Sequence, residues 1–383
     1  MSDLRGNVAI VGTAESDLGL VAPETTPYDL MAQGTIRALD NCGLKLSDVD
    51  GYWCATSQSR MSAMAMCEYL GIQPNIFDNT MIGGSSFMAH ITHVQAAISA
   101  GLCEVAVIAY GSTQRTVSRA SASQRDPNPH EDPYKPFMPS SAYAMAATRH
   151  MHQYGTTREQ LAAVAVAARD WAKLNPVAFR REDLTIEDVL SAPMISYPFT
   201  IRDICLVTDG GGAIVLTTPE RAKDLKLKPA YVLGTGEHIS HNTISCMPDM
   251  TVSGAAFSGP KAYKKAKVGA KDIDLFALYD AFTINTLLFL EDLGVVKKGE
   301  GGPFVASGAI APGGSLPVNT NGGGLSYCHP GMYGLFLLIE AARQIQGVCG
   351  DRQQKDINLA LAHGNGGVLS SQCSVILGSE DTL

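Results

Sequence analysis

Short patterns from the first half of the chain recur, in the same order, in the second half. Segment 11–15 (VGTAE) resembles 233–237 (LGTGE), and the glycines of 83–85 (GGS) resemble those of 322–324 (GGG). The separation between paired segments grows slowly, from roughly 220 to roughly 240 residues, as two diverged copies of one unit would show. The repeat predicts two similar halves, residues 1–222 and 223–383.

Runs rich in β-branched residues alternate with Ala-rich stretches of helical period. This alternation is typical of an α/β fold whose strands are buried on both faces. The candidate strands are 7–12, 51–56, 105–111, 212–218, 229–235, 275–282, 357–364 and 372–378. The candidate helices are 28–41, 86–100, 158–172 and 332–346.

Residues 112–200 interrupt the repeat, first with a Ser-, Arg- and Pro-rich stretch and then with helical sequence. Thr156 with Glu159, and Thr185 with Asp188, have the spacing of capping boxes. Long insertions in compact domains are usually functional, so we predict that this part of the first half covers a functional site. A dimerisation arm is the alternative.

Composition and charge exclude several classes of protein. The 29 Lys and Arg against 37 Asp and Glu leave a net charge of −8, which argues against a nucleic-acid-binding surface. Nine Cys occur without any C-x-x-C, which favours reduced thiols in the cytoplasm over disulfides or a zinc ribbon. No apolar run approaches the ~18 residues of a membrane span, and no signal core follows the first residues. We expect a cytoplasmic protein that does not enter membranes.

Four motifs resemble those of the thiolase family, most closely its sterol-carrier-protein type. The run NGGGLSYCHP at 321–330 is similar to the family's Asn-Gly-Gly…Gly-His-Pro signature, and YDAF at 279–282 is similar to its His-Asp-x-Phe. CLVTDG at 205–210 precedes a candidate strand, and HGNGG at 363–367 resembles the last active-site loop. The match extends over essentially the whole chain. It implies two duplicated βαβ-rich halves stacked in five layers (αβαβα), with a long covering loop region.

The sequence departs from the family where thiolases carry their two reactive sulfurs. The position of the nucleophilic Cys falls on Ser85, and His363 or its neighbour replaces the second Cys. A helix N-terminus lowers the pKa of a thiol enough to supply thiolate, whereas a serine hydroxyl needs an adjacent base. We therefore do not expect an acetyl-CoA acetyltransferase.

The chain resembles, in these departures, the lipid-transfer-protein type aldolases of bacterial steroid side-chain degradation. That resemblance implies retro-aldol cleavage of a bulky β-hydroxyacyl-CoA to a ketone and a shortened acyl-CoA, with tyrosines as acid and base. It also implies a homodimer that joins a small OB-fold, zinc-ribbon partner in a heterotetramer. We expect no cofactor in this chain, because the CoA thioester is the substrate.

Retro-aldol cleavage requires a base for the β-hydroxyl, an acid, and donors to the developing enolate oxygen. Tyr279 and Tyr327 are the candidate acid and base, and one of them needs a nearby cation or strong donor, because a free phenol has a pKa of ~10. The resemblance makes His329 a donor to the thioester carbonyl or to a tyrosine. His363 is a further candidate, or a structural histidine. Ser85 donates to the thioester, serves as a weak nucleophile of an acyltransferase, or simply caps its helix.

Other candidates leave alternatives open. Cys328 is either a displaced nucleophile of an acyltransferase or a small buried apolar residue. A non-catalytic scaffold subunit is a third possibility for the whole chain. His90 and His93 share a helical face but lack further ligands at zinc spacing, so no metal is expected. Candidate CoA-phosphate contacts are the lysines at 261, 264, 265, 267 and 271, which also suit a solvated helix face, and the arginines at 180 and 181.

Overall fold

Nine strands form one continuous mixed sheet in the computed structural model, which describes residues 4–118 and 127–383. The strands are β1 (Ala9–Glu15), β2 (Gly51–Ala55), β3 (Ile76–Asp78), β4 (Val105–Ser112), β5 (Met194–Ser196), β6 (Phe199–Thr200), β7 (Gly210–Thr217), β8 (Ala230–Ile239), β9 (Leu275–Leu278), β10 (Leu359–Gly366) and β11 (Ser371–Gly378). The sheet order is β3-β2-β4-β7-β1-β8-β11-β10-β9, and β5 and β6 form a separate hairpin.

The helices of the described residues lie between these strands in the sequence. They are α1 (Pro27–Cys42), α2 (Ser62–Leu70), α3 (Ser86–Ser99), α4 (Ser140–Tyr154), α5 (Arg158–Lys173), α6 (Ile186–Ser191), α7 (Pro219–Ala222), α8 (Ala255–Ala266), α9 (Thr283–Asp292), α10 (Gly301–Ala306) and α11 (Gly334–Gln346). None of them is long and apolar enough to cross a membrane.

The two parts of the sheet mirror each other about the β1–β8 pair. Outward from β1 come β7, β4 and β2, and outward from β8 come β11, β10 and β9. In each part the two strands next to the centre are antiparallel, and the outer pair, β2 with β4 or β9 with β10, is parallel. This arrangement suits the sequence repeat. The predicted division near residue 222 falls at the end of α7, between β7 and β8, and stays a prediction.

Helix packing produces the five layers. α3 and α11 contact strands of both parts of the sheet, so they lie between them. α1 covers β1, β4 and β7 from outside, and α8 covers β8 and β11. Most residues of both central helices are buried, and most of the buried ones are apolar, as expected for a helix between two sheets. The predicted αβαβα fold is confirmed.

Several predicted boundaries shift. The candidate strand 275–282 ends at Leu278, because Asp280 turns its carboxylate to the Gly-rich segment instead of continuing the sheet. The first strand begins at Ala9 and continues to Glu15, beyond the predicted 7–12. The predicted capping box at Thr156 is wrong by one residue, since Thr157 caps α5 together with Gln160, whereas the box at Thr185 is as predicted.

The inserted region 112–200 packs over the Gly-rich segment of the second half. Residues 119–126 of it lie outside the described residues. Arg169 on α5 donates to the Ser326 hydroxyl at 3.0 Å, and Asn175 donates to the Asn321 carbonyl at 2.9 Å. The Phe179 amide donates to the Tyr327 carbonyl at 2.9 Å. The region therefore covers the loop that carries two of the candidate site residues.

Candidate active site

One π-helical turn, Gly323–Tyr327, sets the position of the loop that contains Tyr327 and His329. Gly322 and Gly323 adopt left-handed φ angles of 102° and 64°. A side chain at Gly323 would overlap the Asp280 carboxylate, which accepts hydrogen bonds from the Gly324 amide at 2.6 Å and the Leu325 amide at 3.4 Å. Burial raises the pKa of Asp280 to about 7 against the effect of these donors. The sequence prediction gave Asp280 no role, although it follows Tyr279 in the YDAF motif.

Tyr279 lies at the centre of a buried hydrogen-bond group. Its hydroxyl accepts the Tyr333 backbone N–H at 3.0 Å and lies 3.1 Å from the His329 Nε2 and 3.4 Å from the Gly331 carbonyl. The His329 and Tyr279 rings meet edge to face, and the His329 and Tyr333 rings are stacked. Burial raises the pKa of Tyr279 well above its ordinary value, against the Tyr333 donor. The phenol is therefore a proton donor in this state.

Tyr327 directs its hydroxyl away from this group. It donates to Glu15 Oε1 at 2.8 Å, and the Arg343 guanidinium holds both oxygens of Glu15 at 2.6 Å. Burial, the largest single effect, would raise the pKa of Glu15, but the Arg343 charge and the hydrogen bonds from Arg343 and Tyr327 together hold that pKa below its ordinary value. Burial, and next the Glu15 charge, raise the pKa of Tyr327 well above 10.

The donor or cation expected near one of the two tyrosines is present, but it depresses the pKa of neither phenol below the ordinary value. Tyr279 has a strong donor in the Tyr333 backbone N–H. Tyr327 does not contact a cation directly, because Glu15 lies between its hydroxyl and Arg343. In both cases removal of the phenol from water outweighs the favourable partner. Sequence reasoning missed Glu15 and Arg343, although Glu15 ends the repeated segment 11–15.

At the positions where thiolases carry their reactive sulfurs, the side chains are hydrogen-bonded to other protein groups. Ser85 immediately precedes α3, as predicted, but its side chain makes no capping bond, so the capping interpretation is wrong. Its hydroxyl bonds to the Ser371 hydroxyl and donates to the Ile82 carbonyl at 3.1 Å. Burial raises the pKa of the Cys328 thiol well above its ordinary value, which does not suit a nucleophile.

His363 is fully buried on β10, with both ring nitrogens bound. Nε2 lies 2.7 Å from the Gln372 side-chain carbonyl oxygen, and Nδ1 lies 2.9 Å from the Ser374 hydroxyl. Burial lowers the pKa of His363 to about 4, so the ring is neutral at physiological pH. The arrangement fits the structural histidine that the sequence left open, and a catalytic role for His363 stays a prediction.

Close backbone packing brings most of the candidates together. A side chain at Gly84 would overlap the Tyr279 ring and would lie 2.7 Å from the Asn365 carbonyl oxygen. The N-terminal end of α3, Tyr279 with His329, and the loop that follows His363 therefore adjoin one another. Tyr327 shares their loop but faces Glu15.

Three of the candidate phosphate-binding cations contact other groups of the protein. Lys261 donates to the Glu237 carbonyl at 2.8 Å and Lys265 to the Thr235 hydroxyl at 3.2 Å, both within the outer layer formed by α8 and β8. Arg180 lies over the Phe179 ring. Within residues 4–118 and 127–383, no group of three or more His, Cys, Asp or Glu side chains could hold a metal ion.

Comparison with known proteins identifies the family to which this chain is similar. The family model described as thiolase C-terminal domain-like matches residues 236–379. A 17-hydroxy-3-oxo-4-pregnene-20-carboxyl-CoA lyase of Mycobacterium tuberculosis is 32% identical, over 90% of this chain and 92% of the relative. An acetyl-CoA acetyltransferase of Methanothermobacter thermautotrophicus is 30% identical, over 94% of this chain and 96% of that protein. The solved Ltp2-ChsH2(DUF35) aldolase superposes with a TM-score of 0.88 at 29% identity and covers 100% of both chains.

Proposed function

The chain belongs to the thiolase superfamily, in its branch of carbon–carbon lyases, and from this premise we propose that it cleaves a bulky, steroid-derived β-hydroxyacyl-CoA by retro-aldol reaction. The products are a ketone and a shortened acyl-CoA. The observation that supports this proposal is that other side chains replace the two reactive cysteines within one thiolase-like site. Hydroxyls and a neutral histidine occupy the sulfur positions, and two tyrosines stand in the active-site loops.

The bonds in the reaction balance without a covalent enzyme intermediate. A base takes the proton of the β-hydroxyl, whose oxygen becomes the ketone carbonyl as the Cα–Cβ bond breaks. The electron pair of that bond moves through Cα to the thioester oxygen as an enolate. An acid then protonates Cα and yields the short acyl-CoA. The protein must supply two proton-transfer groups and donors to the enolate oxygen.

We assign the acid to Tyr279 and the base to Tyr327. The Tyr333 amide and His329 orient the Tyr279 hydroxyl, and its raised pKa keeps it protonated, which suits a donor. Tyr327 already donates to Glu15, so it can accept the substrate proton while it passes its own to that carboxylate. This relay leaves Tyr327 neutral, although the low pKa of Glu15 makes that carboxylate a weak proton acceptor. Tyr279 must recover the proton that it gives to Cα before the next turnover. His329 then supplies a hydrogen bond to Tyr279 or to the thioester oxygen.

Partners follow from the same premise. The solved aldolase relative is a complex with a DUF35 subunit, and we propose that this chain binds a small partner of that kind, with an OB-fold and a zinc ribbon, in a heterotetramer.

A homodimer is also proposed. β3 lies at the edge of the sheet with Phe77 59% exposed, and Met61 and Met64 are exposed near it. An apolar sheet edge of this kind is commonly covered by another strand. The protein is proposed to act in the cytoplasm, with the CoA thioester as its only non-protein partner.

The test is a product analysis. The purified chain, alone and with a candidate DUF35-type partner, is incubated with an acyl-CoA that bears a tertiary β-hydroxyl, and mass spectrometry follows the products and the protein. We expect a ketone with propionyl-CoA or acetyl-CoA and an unmodified protein. An acyl adduct on Ser85 or Cys328 would instead establish an acyltransferase. Absence of both product and adduct, with the partner bound, would leave a non-catalytic scaffold.

A further inference from the structure

A third tyrosine, Tyr143 on α4, reaches the same site from the inserted region. Its hydroxyl accepts a hydrogen bond from the Asn365 side-chain amide at 2.8 Å and donates to the Gly367 carbonyl at the long distance of 3.2 Å. Its ring stacks on Phe282 at a centroid distance of 4.4 Å. Tyr143 is only 2% exposed. The sequence motifs gave no role to this residue.

Tyr143 and Tyr279 line one buried region. Phe282, which supports the Tyr143 ring, follows Tyr279 by three residues, and the Asn365 backbone adjoins Gly84 on the side where Gly84 meets the Tyr279 ring. The two phenols are also near enough to interact electrostatically. A substrate that reaches Tyr279 therefore passes close to Tyr143.

A chain of hydrogen bonds fixes which atoms of this group donate. The Gln372 amide donates to Asn365 Oδ1 at 2.6 Å, so its carbonyl oxygen must accept from His363 Nε2–H at 2.7 Å. Asn365 therefore presents its NH₂ group to Tyr143. Because the Tyr143 oxygen receives this proton, its own O–H can point at another acceptor, in competition with its long bond to the Gly367 carbonyl.

The second observation is an unsatisfied amide beside Tyr143. Asn285 on α9 has no exposed surface, and neither its Oδ1 nor its Nδ2 makes a hydrogen bond of ordinary length and angle with a described residue. Burial raises the pKa of the Tyr143 phenol to about 12, whereas the contacts with the Asn365 and Asn285 side chains and with the Leu369 backbone lower it, which places the Asn285 amide beside that hydroxyl. An unpaired buried amide costs about 1–3 kcal/mol, so a structural core would favour an apolar residue here. A polar substrate group that reached this amide would satisfy it.

We propose that the Tyr143 hydroxyl and the Asn285 amide bind the thioester oxygen of the acyl-CoA and stabilise it as the enolate forms. This assignment rests on the proposed retro-aldol function and names its enolate-binding group. Both groups are neutral donors already held in a dry environment, as stabilisation of a developing oxyanion requires. In this arrangement His363 and Gln372 are positioning residues, because they act through Asn365.

Asn285→Leu is the main test, since it replaces the amide with an apolar side chain of similar size. If Asn285 is only an unfavourable core residue, the variant should gain stability and keep its activity. Under the proposal kcat falls by roughly 10²-fold while the melting temperature stays equal or rises, because one oxyanion donor is lost. The KM for the acyl-CoA should change little, since the interaction strengthens in the transition state.

Thr286→Val is the matched control on the same helix. The Thr286 hydroxyl is also buried and without a partner among the described residues, but it points about 100° away around α9. We expect an equal or higher melting temperature and unchanged kcat. Tyr143→Phe should lower kcat on the same scale as Asn285→Leu, because the stacked ring remains and only the hydroxyl is lost.

A spectroscopic measurement separates binding of the oxygen from indirect effects. Propionyl-CoA with a ¹³C-labelled thioester carbonyl is bound to each enzyme, with the DUF35-type partner present, and its carbonyl stretch is recorded by infrared difference spectroscopy. The wild-type stretch should lie below that in water and move back up in Tyr143→Phe and in Asn285→Leu. An unchanged stretch, or unchanged kcat in both variants of an enzyme that does cleave its substrate, would overturn the assignment. If the wild-type enzyme itself cleaves nothing, the proposed function fails instead.

Discussion

Two sides of the candidate site differ in how fully their polar groups are used. On the tyrosine side, Tyr279 accepts a backbone N–H and keeps a proton that it can give, and Tyr327 donates to a carboxylate and keeps a lone pair. On the side where thiolases carry sulfur, Ser85 is bound to Ser371 and Ile82, and His363 is bound at both nitrogens. The first side can exchange protons with a substrate, whereas the second holds the loops in place.

A side chain that occupies the position of a catalytic residue in the fold does not necessarily retain its chemistry. Ser85 lies at the start of α3, where a helix dipole favours an anion, but a hydroxyl gains little ionisation from that dipole. The catalytic capacity of this site therefore depends on which groups retain an unused donor or acceptor. Five substitutions test the comparison.

Tyr279→Phe should have the largest effect. It removes the acid while the ring contacts with Tyr333 and His329 remain, and kcat should fall by about 10²-fold or more. Steady-state cleavage of the β-hydroxyacyl-CoA measures it. Tyr52→Phe removes another buried hydroxyl, bonded to Thr35 on α1, and should leave the rate unchanged. Equal rates in Tyr279→Phe and Tyr52→Phe would refute the distinction between the two sides.

Tyr327→Phe should lower kcat by about 10²-fold, and Glu15→Gln by about tenfold, because the amide still accepts the hydrogen bond but cannot take the proton. The Glu15 variant also leaves the Arg343 charge poorly compensated, so it should lose about 3 kcal/mol of stability. Urea unfolding measures the second effect separately from the rate. A Glu15→Gln enzyme with normal kcat but lower stability would remove Glu15 from the proton relay.

His363→Gln should alter the pH dependence of stability more than it alters the rate. The pKa of His363 is about 4 in the folded protein and 6.5 when unfolded, so the unfolded chain binds a proton first as the pH falls. Stability from this residue is full above pH 6.5 and declines towards pH 4, by about 3 kcal/mol in total. Urea midpoints between pH 7 and pH 4 should decline less in the variant. Replacement of His90 gives the matched control, because burial lowers the pKa of that histidine to about 4 as well. If the urea midpoints of His363→Gln decline as steeply as those of the wild type, His363 is not a neutral buried ring.

Ser85→Ala should have the smallest effect, a loss of less than about tenfold in kcat, because the hydroxyl already bonds to protein groups, namely Ser371, Ile82 and the Cys373 thiol. Ser371 then loses one partner but keeps its bond to the Ile82 carbonyl. Cleavage rates of Ser85→Ala and Cys328→Ala enzymes are compared with the wild type. Complete loss in either variant, with active Tyr279→Phe and Tyr327→Phe enzymes, would restore a nucleophilic mechanism.

Sequence alone determined the features that depend on local pattern. The repeat predicted two related halves, alternating strands and helices predicted an α/β fold, and the resemblance to thiolases implied the layers around α3 and α11. The motifs at 279–282, 321–330 and 363–367 identified the loops that meet at the site, because glycine spacing and strand ends are readable from one segment at a time. The helix boundary at Ser86 was predicted to the residue.

Tertiary structure alone decided what each group can do. A pKa depends on burial and on partners that are distant in sequence, so neither the Glu15–Arg343 pair behind Tyr327 nor the raised pKa of Tyr279 could be predicted from the motifs. The same holds for Tyr143 and Asn285, which lie on different helices and meet only when the inserted region packs on the second half. Sequence patterns fix where a loop lies, whereas proton affinity is set by the low dielectric and the hydrogen-bond partners that folding assembles around it.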